Sequence, residues 1–507
     1  MNSKMGLAGL ALASLTASAH AAGLGDPSLK DPVPDSPTWR GVTVYGVIDL
    51  DYAYQTHGVP LSGPFYPGLE YNISGSKNAG KPISSLAESG LEQSKTGVKI
   101  EESIGGGWVA AGKLEAGFDP LSGELADACA SLVRNNGKPL TAQTANSDGS
   151  RCGQTFSGPA YAGVSHAAYG ALLIGRQQSL ELDAISVYDP MGLPYAFSLI
   201  GYSGGSAAGF GNTETGRWDN SAKYIYQYGP VHTAAMYSDG GQDTAMFGGG
   251  YGFNAGGSYR GFSIDAVYTK ERSAVSSSSI GPSATCPGTG CAGNVLAGTV
   301  TDGEGWSVMG KYTYDLSGGF KDEGPGAKLS VFAGYVHTAL TDPQDPVAAG
   351  STTIGGYEYA TLNNKPYAPG NGKTLQTGWA GARYELPSGW SFTGAYYRLS
   401  QDAYTANGTY YTPGAPPGGT KNSGSYNCAQ GSVSNTLQKG IGNAFGETAG
   451  AMCAGDLNQG SFLVDYQFNK HFDIYSGISF SEVGGGLSSG YLNTSMTTFA
   501  TGLRLKF

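Results

Sequence analysis

Near the end of the chain, residues 462–480 read FLVDYQFNKHFDIYSGISF. Large apolar residues stand at every second position on both sides of the short turn Asn469-Lys470, namely Phe462, Val464, Tyr466 and Phe468, then Phe472, Ile474, Ile478 and Phe480. Successive side chains of a β-strand point to opposite faces. This period of two therefore predicts two antiparallel strands joined by a tight turn, each with one strongly apolar face.

The same pattern recurs along the chain from Val42 to the last residue. Tight turns such as 105–106, 229–230 and 469–470 alternate with polar connections of tens of residues, which is typical of an up-and-down antiparallel meander. The alternation predicts sixteen strands, at 42–54, 94–104, 107–118, 159–168, 171–179, 217–228, 231–239, 248–256, 259–270, 305–316, 327–340, 374–386, 389–402, 457–468, 471–482 and 496–507.

The composition agrees with an all-β protein. The 507 residues include 83 glycines, more than twice the usual frequency of roughly 7%, which disfavours helices. After residue 23 no run approaches the roughly 20 apolar residues of a membrane-spanning helix. The chain has 29 basic and 39 acidic residues, a net charge of −10, and no basic block. It therefore lacks the clustered positive charge that nucleic-acid binding requires.

The N-terminus has the features of an export signal. Lys4 precedes an apolar run at 7–15, and Ala19-His20-Ala21 is a small-x-small cleavage site. A short core helix is the alternative, but the flanking residues favour processing. We predict a signal peptide at 1–21, a proline-rich periplasmic leader at 22–40 and one barrel domain at 41–507.

An exported chain with an even number of cysteines usually pairs them. The six cysteines fall in three sequence-adjacent pairs, each inside one polar, turn-rich stretch, which predicts the disulfides Cys129–Cys152, Cys286–Cys291 and Cys428–Cys453. Metal binding is the alternative for the C-x4-C spacing at 286–291, but no second cysteine pair or histidine lies near it in the sequence.

The residues on the two strand faces indicate which face is enclosed. In the segment at 305–316 one face carries aromatic residues and the other carries polar ones, respectively Trp306, Tyr312 and Tyr314 against Ser307, Lys311 and Thr313. A soluble sandwich would bury a face rich in Val, Ile and Leu. Aromatic residues near the ends of an apolar face, about ten residues per strand and alternating connection lengths are typical of a transmembrane β-barrel. Closure leaves no strand edge unpaired in lipid. An even strand number places both chain ends on the periplasmic side.

Several stretches resemble the Gram-negative general porins, which are trimeric sixteen-stranded barrels. They are VTVYGVIDLDYAY at 42–54, AYAGVSHAAYGALLIGRQQ at 160–178 followed by Tyr188-Asp189-Pro190, GARYELPSGWSFTGAYYRL at 381–399 and TGLRLKF at 501–507. The resemblance covers nearly all of the mature chain. It implies a homotrimeric, cofactor-free channel in the outer-membrane lipid, through which ions and small hydrophilic solutes diffuse passively. It also implies that Phe507 is a signal for the outer-membrane assembly machinery.

The resemblance further implies that the third long loop, at 180–216, folds into the lumen as a constriction. Its acidic residues are Glu181, Asp183 and Asp189, and they are expected to face a basic cluster on the wall. The bases that match by motif are Lys95, where the family usually has arginine, and Arg217.

Strand alternation adds further candidates to this basic cluster. Lys99 and Lys113 share the lumenal phase of Lys95. Arg176 lies in the matching GRQ motif, although simple alternation places it in register with the apolar residues Leu172 and Ile174. Ser157 and Gly158 stand where the family often has basic residues. The charges of the predicted lumenal phase are nearly balanced, so the ion preference stays open.

Three other functions are compatible with an outer-membrane barrel: a solute-specific channel, a barrel enzyme and a surface adhesin. The mature histidines, at 57, 166, 232, 337 and 471, lie in no catalytic motif. No glycine-rich phosphate loop follows a strand and opens a helix. These observations favour a channel over an enzyme, and the solute-specific channel is the nearer alternative.

Overall fold

A computed structural model describes most of the chain after residue 37. The predicted signal peptide, most of the predicted leader, and Cys286 with Cys291 lie outside the described residues. The described residues are 38–39, 41–56, 82–134, 136–137, 152, 154–200, 216–240, 248–278, 280, 295–316, 326–346, 353–354, 356–412, 420–428, 452–488 and 493–507.

A single sheet of twenty strands contains the barrel. Sixteen of these strands form its wall, and each overlaps one of the sixteen predicted strands, which confirms the predicted strand pattern. They are β2 Val42–Gln55, β4 Lys95–Gly105, β5 Trp108–Gly117, β6 Ala160–His166, β7 Gly170–Gln178, β8 Arg217–Tyr228, β9 Val231–Ser238, β10 Gly250–Tyr259, β11 Phe262–Ser278, β12 Val295–Asp315, β13 Lys328–Thr341, β16 Gly372–Glu385, β17 Trp390–Gln401, β20 Gly455–Asn469, β21 Phe472–Gly485 and β22 Ser495–Lys506.

Shorter elements complete the described part of the chain. The four remaining strands of the main sheet are β1 Thr38–Trp39, β3 Ile83–Glu88, β14 Thr353–Ile354 and β15 Tyr357–Asn363, while β18 Ala406–Thr412 and β19 Thr420–Tyr426 form a separate hairpin. The helices are α1 Ala128–Arg134, α2 Leu180–Tyr188 and a 3₁₀ turn at Gly486–Ser488. Among the described residues, none of the helices has the length and apolar character needed to cross a membrane.

The barrel closes between its first and last strands. β22 pairs antiparallel with β21 on one side and with β2 on the other, from Val47 opposite Lys506 to Gln55 opposite Thr498. Phe507 continues this pairing, since Gly46 donates its N–H to the Phe507 carbonyl at 3.0 Å and accepts the Phe507 N–H at 3.1 Å. The C-terminal residue therefore belongs to the seam of the barrel. Its predicted role as an assembly signal stays a prediction.

The wall is apolar outside and polar inside, the reverse of a globular protein. Along β7, Leu173 is 7% exposed on the inner face, whereas its neighbour Ile174 is 60% exposed on the outer face. Large exposed residues follow the outer phase of most strands, and Trp390 packs on Tyr466 with ring centroids 4.6 Å apart. Buried polar residues such as Asp49 and Glu115 occupy the inner phase. This arrangement confirms the prediction that the polar face is enclosed.

Six of the described strands were not predicted, namely β1, β3, β14, β15, β18 and β19, and β3 is the one that shapes the lumen. The predicted strands leave residues 55–93 as a long connection, but β3 near the end of this stretch pairs with the second half of β2, while β4 pairs with the first half. The six residues between β3 and β4 project into the lumen, and we call residues 89–94 the inner turn. Asp49 of β2 holds it, because its Oδ2 accepts the N–H groups of Leu91 and Glu92 at 2.8 and 2.7 Å.

Two of the three predicted disulfides lie within the described residues, and both form. Cys129 pairs with Cys152 and Cys428 pairs with Cys453, with Cα atoms 4.9 and 4.5 Å apart. This confirms the loop-local pairing for these four cysteines.

Candidate pore constriction

The connection after β7 turns into the lumen, as expected for the third long loop. We call residues 179–200 the constriction segment; the remainder of the predicted loop up to residue 215 lies outside the described residues. Ser179 caps α2, with its hydroxyl accepting the N–H of Leu182 at 3.2 Å. Such a cap satisfies one of the free donors of the first helical turn. The helix is short and enclosed, with Ile185 and Tyr188 almost fully buried.

The first half of the constriction segment is bound to the wall formed by β8, β11 and β12. Lys223 Nζ lies 2.7 Å from Asp183 Oδ2. Ser307 donates to Glu181 Oε2 at 2.7 Å. Tyr188 donates to Asp265 Oδ2 at 2.6 Å. Burial raises the pKa of Asp183, and the charge of Lys223 offsets only part of this effect.

Past α2 the segment contacts wall strands further around the barrel. Asp189 accepts a short hydrogen bond from the hydroxyl of Tyr397 and the N–H of Leu193 at 2.7 Å. Trp379 Nε1 donates to the Tyr188 carbonyl at 2.9 Å, and Arg383 donates to the carbonyl of Pro190. Burial raises the pKa of Asp189, which lies between β17 and the turn that follows α2.

The far end of the segment reaches β21 and the inner turn. Ala196 donates its N–H to the Gly90 carbonyl at 3.0 Å and accepts from the Ser479 hydroxyl at 3.2 Å. Phe197 is fully buried, and a Cβ added at Gly477 would lie 2.7 Å from its Cζ. The segment thus leaves the wall at β7 and is bonded to strands from β8 to β21. It therefore crosses the lumen and narrows it.

The predicted loop acids differ from expectation in their surroundings. Glu181, Asp183 and Asp189 are each in direct contact with a wall residue, and Asp183 also interacts electrostatically with Lys113 of the predicted basic cluster. In this position they fasten the constriction segment to the wall. Their predicted influence on permeation stays a prediction.

The predicted wall lysines lie together on β4 and β5, and each has an acidic partner. Lys95 pairs with Glu92 at 2.8 Å, and Lys99 with Glu101 at 2.9 Å. Lys113 lies 3.3 Å from Glu115, whose carboxylate also accepts the hydroxyl of Tyr45 at 2.9 Å. Opposite charges beside each base weaken the local excess of positive charge.

Arg176 shows where simple alternation fails. The pairing of β7 with β8 shifts register between Gly175 and Gln177, so the side chain of Arg176 departs from the outward phase of Ile174. It is 8% exposed and forms an ion pair with Asp219 at 2.5 Å. It also donates to the carbonyls of Ser157 and Gly158 at 3.1 and 3.2 Å. Arg217, at the start of β8, is buried on the lumenal side near Glu115, whose charge it stabilises.

A second charged cluster was only partly predicted. Arg504 pairs with Glu92 at 3.3 Å and with Asp473 at 3.0 Å, and Lys506 lies 3.4 Å from Asp473. Although burial acts to raise it, the positive charges of Lys95 and Arg504 lower the pKa of Glu92 to about 2. Alternation places Asp473, Arg504 and Lys506 in the lumen. Glu92 was missed because it lies on the inner turn, where no alternation exists.

Arg383 was also missed, although a signal for it exists in the sequence. It shares the inward phase of Thr377 and Trp379 along β16, and both of these are buried. Within the described part of the chain, no group of His, Cys, Asp or Glu residues is arranged to hold a metal ion.

A closed sixteen-stranded barrel with an apolar exterior, a polar lumen and a chain segment across that lumen defines an outer-membrane channel. The profile of the family described as Gram-negative porin matches residues 8–486. The chain belongs to this family, and it is a diffusion channel of the outer membrane. The resemblance, fold class, general function and location predicted from the sequence are thereby confirmed.

Several solved structures are similar to this chain at low sequence identity. The anion-selective porin from Comamonas acidovorans is 13% identical, with 92% of this chain and 99% of that chain covered and a TM-score of 0.50. The in-vitro folded OmpT of Vibrio cholerae is 12% identical, with 93% and 100% covered and a TM-score of 0.49. Salmonella typhi OmpF in complex with daunomycin is 14% identical, with 92% and 97% covered and a TM-score of 0.44. A search of curated proteins found no match.

Proposed function

We propose that this porin is a general diffusion channel, in which ions and small hydrophilic solutes pass a neck between the constriction segment and the charged wall of β4 and β5. The observation that carries the proposal is the attachment of the segment to both sides of a polar lumen, through Lys223 on one side and Tyr397 on the other. A neck held in this way limits the size of the solutes that pass. It also leaves polar groups along the path, and a solute exchanges part of its hydration water for contacts with these groups.

The residues of the neck are Lys95, Lys99, Lys113 and Arg217 on the wall, with Arg176 as a support for the wall beside them. Because the three lysines have carboxylate partners within 3.3 Å, we expect only a weak preference between small anions and cations. Charge discrimination in pores comes from an excess of one sign where the channel is narrow.

Two further parts of the proposal concern assembly and chemistry. The protein is a homotrimer embedded in outer-membrane lipid, and Phe507 is read by the assembly machinery. The membership of the chain in the Gram-negative porin family supports this assembly, since the general porins that it resembles are trimers. We also propose that the protein has no enzymatic activity, since the carboxylates at the neck have structural contacts: Glu181, Asp183 and Asp189 hold the constriction segment, and Glu92 and Glu115 pair with bases.

The test is a reversal-potential measurement in planar bilayers under a salt gradient. The double variant Lys95→Ala with Arg217→Ala should shift the reversal potential toward cation preference, because two positive charges leave the neck. Lys270→Ala is the matched control, since Lys270 lies on the outer phase of β11 in an exposed pair with Glu304 at 3.6 Å. An unchanged reversal potential in the folded double variant would contradict the placement of the neck.

The same recordings distinguish a general pore from a solute-specific one. Conductance of a general pore falls smoothly as neutral sugars of increasing size are added. Saturable block by one sugar or one organic acid would favour a solute-specific channel instead. Hydrolysis of lipid or peptide by a protein that forms no channel would overturn the proposal altogether.

A further inference from the structure

Two wall strands continue beyond the barrel on the side of the long connections. β12 pairs with β13 only from Asp302 onward, and its earlier residues pair instead with the end of β11 and, in parallel, with β15. The pairing of β11 with β12 shifts register between Glu271 and Ala274, where these strands leave the wall. Ser273 at this point has φ +50° and donates its N–H to Asp302 Oδ1 at 2.8 Å. We call residues 274–278, 295–301 and 357–363 the outer sheet.

The connection between β5 and β6 contains helix α1, which contacts the outer sheet. Ala126 donates its N–H to the Gly117 carbonyl at the end of β5, at 2.9 Å. Gly117 shares the inward phase of Lys113 and Glu115, and a Cβ built on it would lie 3.4 Å from the Ala126 Cβ. Helix α1 therefore begins on the lumenal side of the rim. The disulfide from Cys129 to Cys152 joins it to the returning chain.

Helix α1 packs directly on the outer sheet. An apolar cluster separate from the main one joins them, consisting of Cys129, Leu132, Cys152, Val275, Leu296, Val300, Tyr357 and Tyr359. The Tyr357 hydroxyl donates to Asp127 Oδ2 at 2.6 Å. Asn136 donates to the Val295 carbonyl and accepts the N–H of Ile280 at 2.7 Å. This contact has a buried apolar centre with hydrogen bonds around it.

The contact between helix α1 and the outer sheet joins two distant parts of the barrel rim. β5 is the third wall strand, and β11 and β12 are the ninth and tenth, so six of sixteen strand intervals separate the two partners. Seven residues of β12, from 295 to 301, span roughly 23 Å at about 3.3 Å per residue. Because α1 starts on the lumenal side of β5, the outer sheet has to lean over the mouth to meet it. Helix α1 and the outer sheet together form a bridge across the outer entrance.

We propose that this bridge is a second, outer size filter, which solutes pass before they reach the neck. The proposal rests on the proposed function as a diffusion channel. Asp127, Tyr357 and the Cys129–Cys152 disulfide are positioning residues: they hold the bridge in place and touch no solute themselves. The bridge divides the mouth, so a bulky solute has to enter beside it. The bridge selects solutes by size alone, whereas the neck selects them by size and by charge.

The test compares two double variants in proteoliposomes and in planar bilayers. Cys129→Ser with Cys152→Ser releases the bridge, and Cys428→Ser with Cys453→Ser removes the other described disulfide, which lies outside the bridge. Swelling rates with neutral sugars of increasing mass measure size selection, and reversal potentials measure charge selection. We expect the first variant to admit the largest sugars severalfold faster than wild type, with an unchanged reversal potential. The second variant should match wild type.

A milder variant protects the test against misfolding. Tyr357→Phe removes only the hydroxyl donated to Asp127, and it should change the swelling rates in the same direction by a smaller factor. Folding is checked by the mobility of unheated samples on detergent gels. Swelling profiles of folded Cys129→Ser/Cys152→Ser and Tyr357→Phe that are both identical to wild type would overturn the outer filter. A wild-type protein that conducts no ions would instead overturn the proposed function, so the two failures are distinguishable.

Discussion

Lys223 of the barrel wall and Asp183 of the lumenal helix α2 form an ion pair, with Nζ and Oδ2 2.7 Å apart. Lys223 also donates to the Gln178 carbonyl at 2.6 Å, so one ammonium group connects β7, β8 and the start of the constriction segment. This ion pair holds the constriction segment in place, because separating the two groups would leave a charge with little water around it.

Lys223→Ala should therefore loosen the constriction segment. We expect the free energy of unfolding to fall by about 2–3 kcal/mol, below the roughly 3–5 kcal/mol for removing one partner of a fully buried pair, because the lumen admits some water. Open-channel current noise should rise in the same variant. The temperature at which the folded form is lost on detergent gels, together with single-channel recordings, measures both effects. Lys270→Ala serves as the control, and equal behaviour of the two variants would contradict the anchoring role.

Glu92 should make the barrel sensitive to acid. Its folded-state pKa is lowered from 4.5 to about 2, so its stabilising effect is complete above pH 4.5 and is lost as the pH falls toward 2. The linkage relation makes this effect about 3 kcal/mol. Glu92→Gln should remove much of the drop in unfolding temperature between pH 5 and pH 2.5. The matched control is Glu101→Gln, at a more exposed lysine pair, and a wild-type drop that persists in Glu92→Gln would refute the assignment.

Arg176 should not tolerate replacement by lysine. Its guanidinium contacts Asp219 and the carbonyls of Ser157 and Gly158 simultaneously, and a single ammonium cannot reproduce this planar set of donors. We expect Arg176→Lys to destabilise the barrel by about 1–3 kcal/mol, since a buried acceptor loses its donor. Thermal unfolding of the purified protein measures the loss. If Arg176→Lys unfolds at the wild-type temperature, these contacts contribute nothing to the stability of the barrel.

A glycine at position 477 should be required for Phe197 of the constriction segment to pack against β21. A Cβ at Gly477 would lie 2.7 Å from Phe197 Cζ, whereas the space at Gly460, on the outer phase of the neighbouring strand β20, is open. Gly477→Ala should cost about 1–3 kcal/mol by overpacking and should change the single-channel conductance, because the constriction segment has to shift. Gly460→Ala should leave the conductance unchanged. A wild-type conductance for Gly477→Ala would contradict this close contact.

The strands of the barrel wall could be predicted because the alternation of apolar and polar side chains is visible within each strand by itself. In residues 462–480 every second side chain except Lys470 and Ser476 is large and apolar, and the observed strands β20 and β21 include that stretch almost completely. Once the motif identifies Lys95 as a lumenal base, the same alternation adds Lys99 and Lys113. A lipid exterior requires this periodicity wherever a strand crosses it, which explains why all sixteen strands were identified.

The remaining structure depends on contacts between residues far apart in the sequence. The inner turn was not predicted because its position is fixed by Asp49, more than forty residues earlier. Alternation alone would have placed Arg176 on the outer face, since a register shift between two strands leaves no local signal, and only the GRQ motif indicated a lumenal position. The outer sheet lies in a Ser-, Gly- and Thr-rich stretch outside lipid, where no alternation is required, and its parallel pairing joins residues about sixty positions apart.

Recording the purified, refolded protein in a planar lipid bilayer tests the central claim most directly. A barrel that encloses water and presents its apolar face to lipid should insert and produce stable, stepwise increases in current of uniform size. A folded protein, verified by its mobility before and after heating, that remains dissolved without detergent and produces no current would contradict the account.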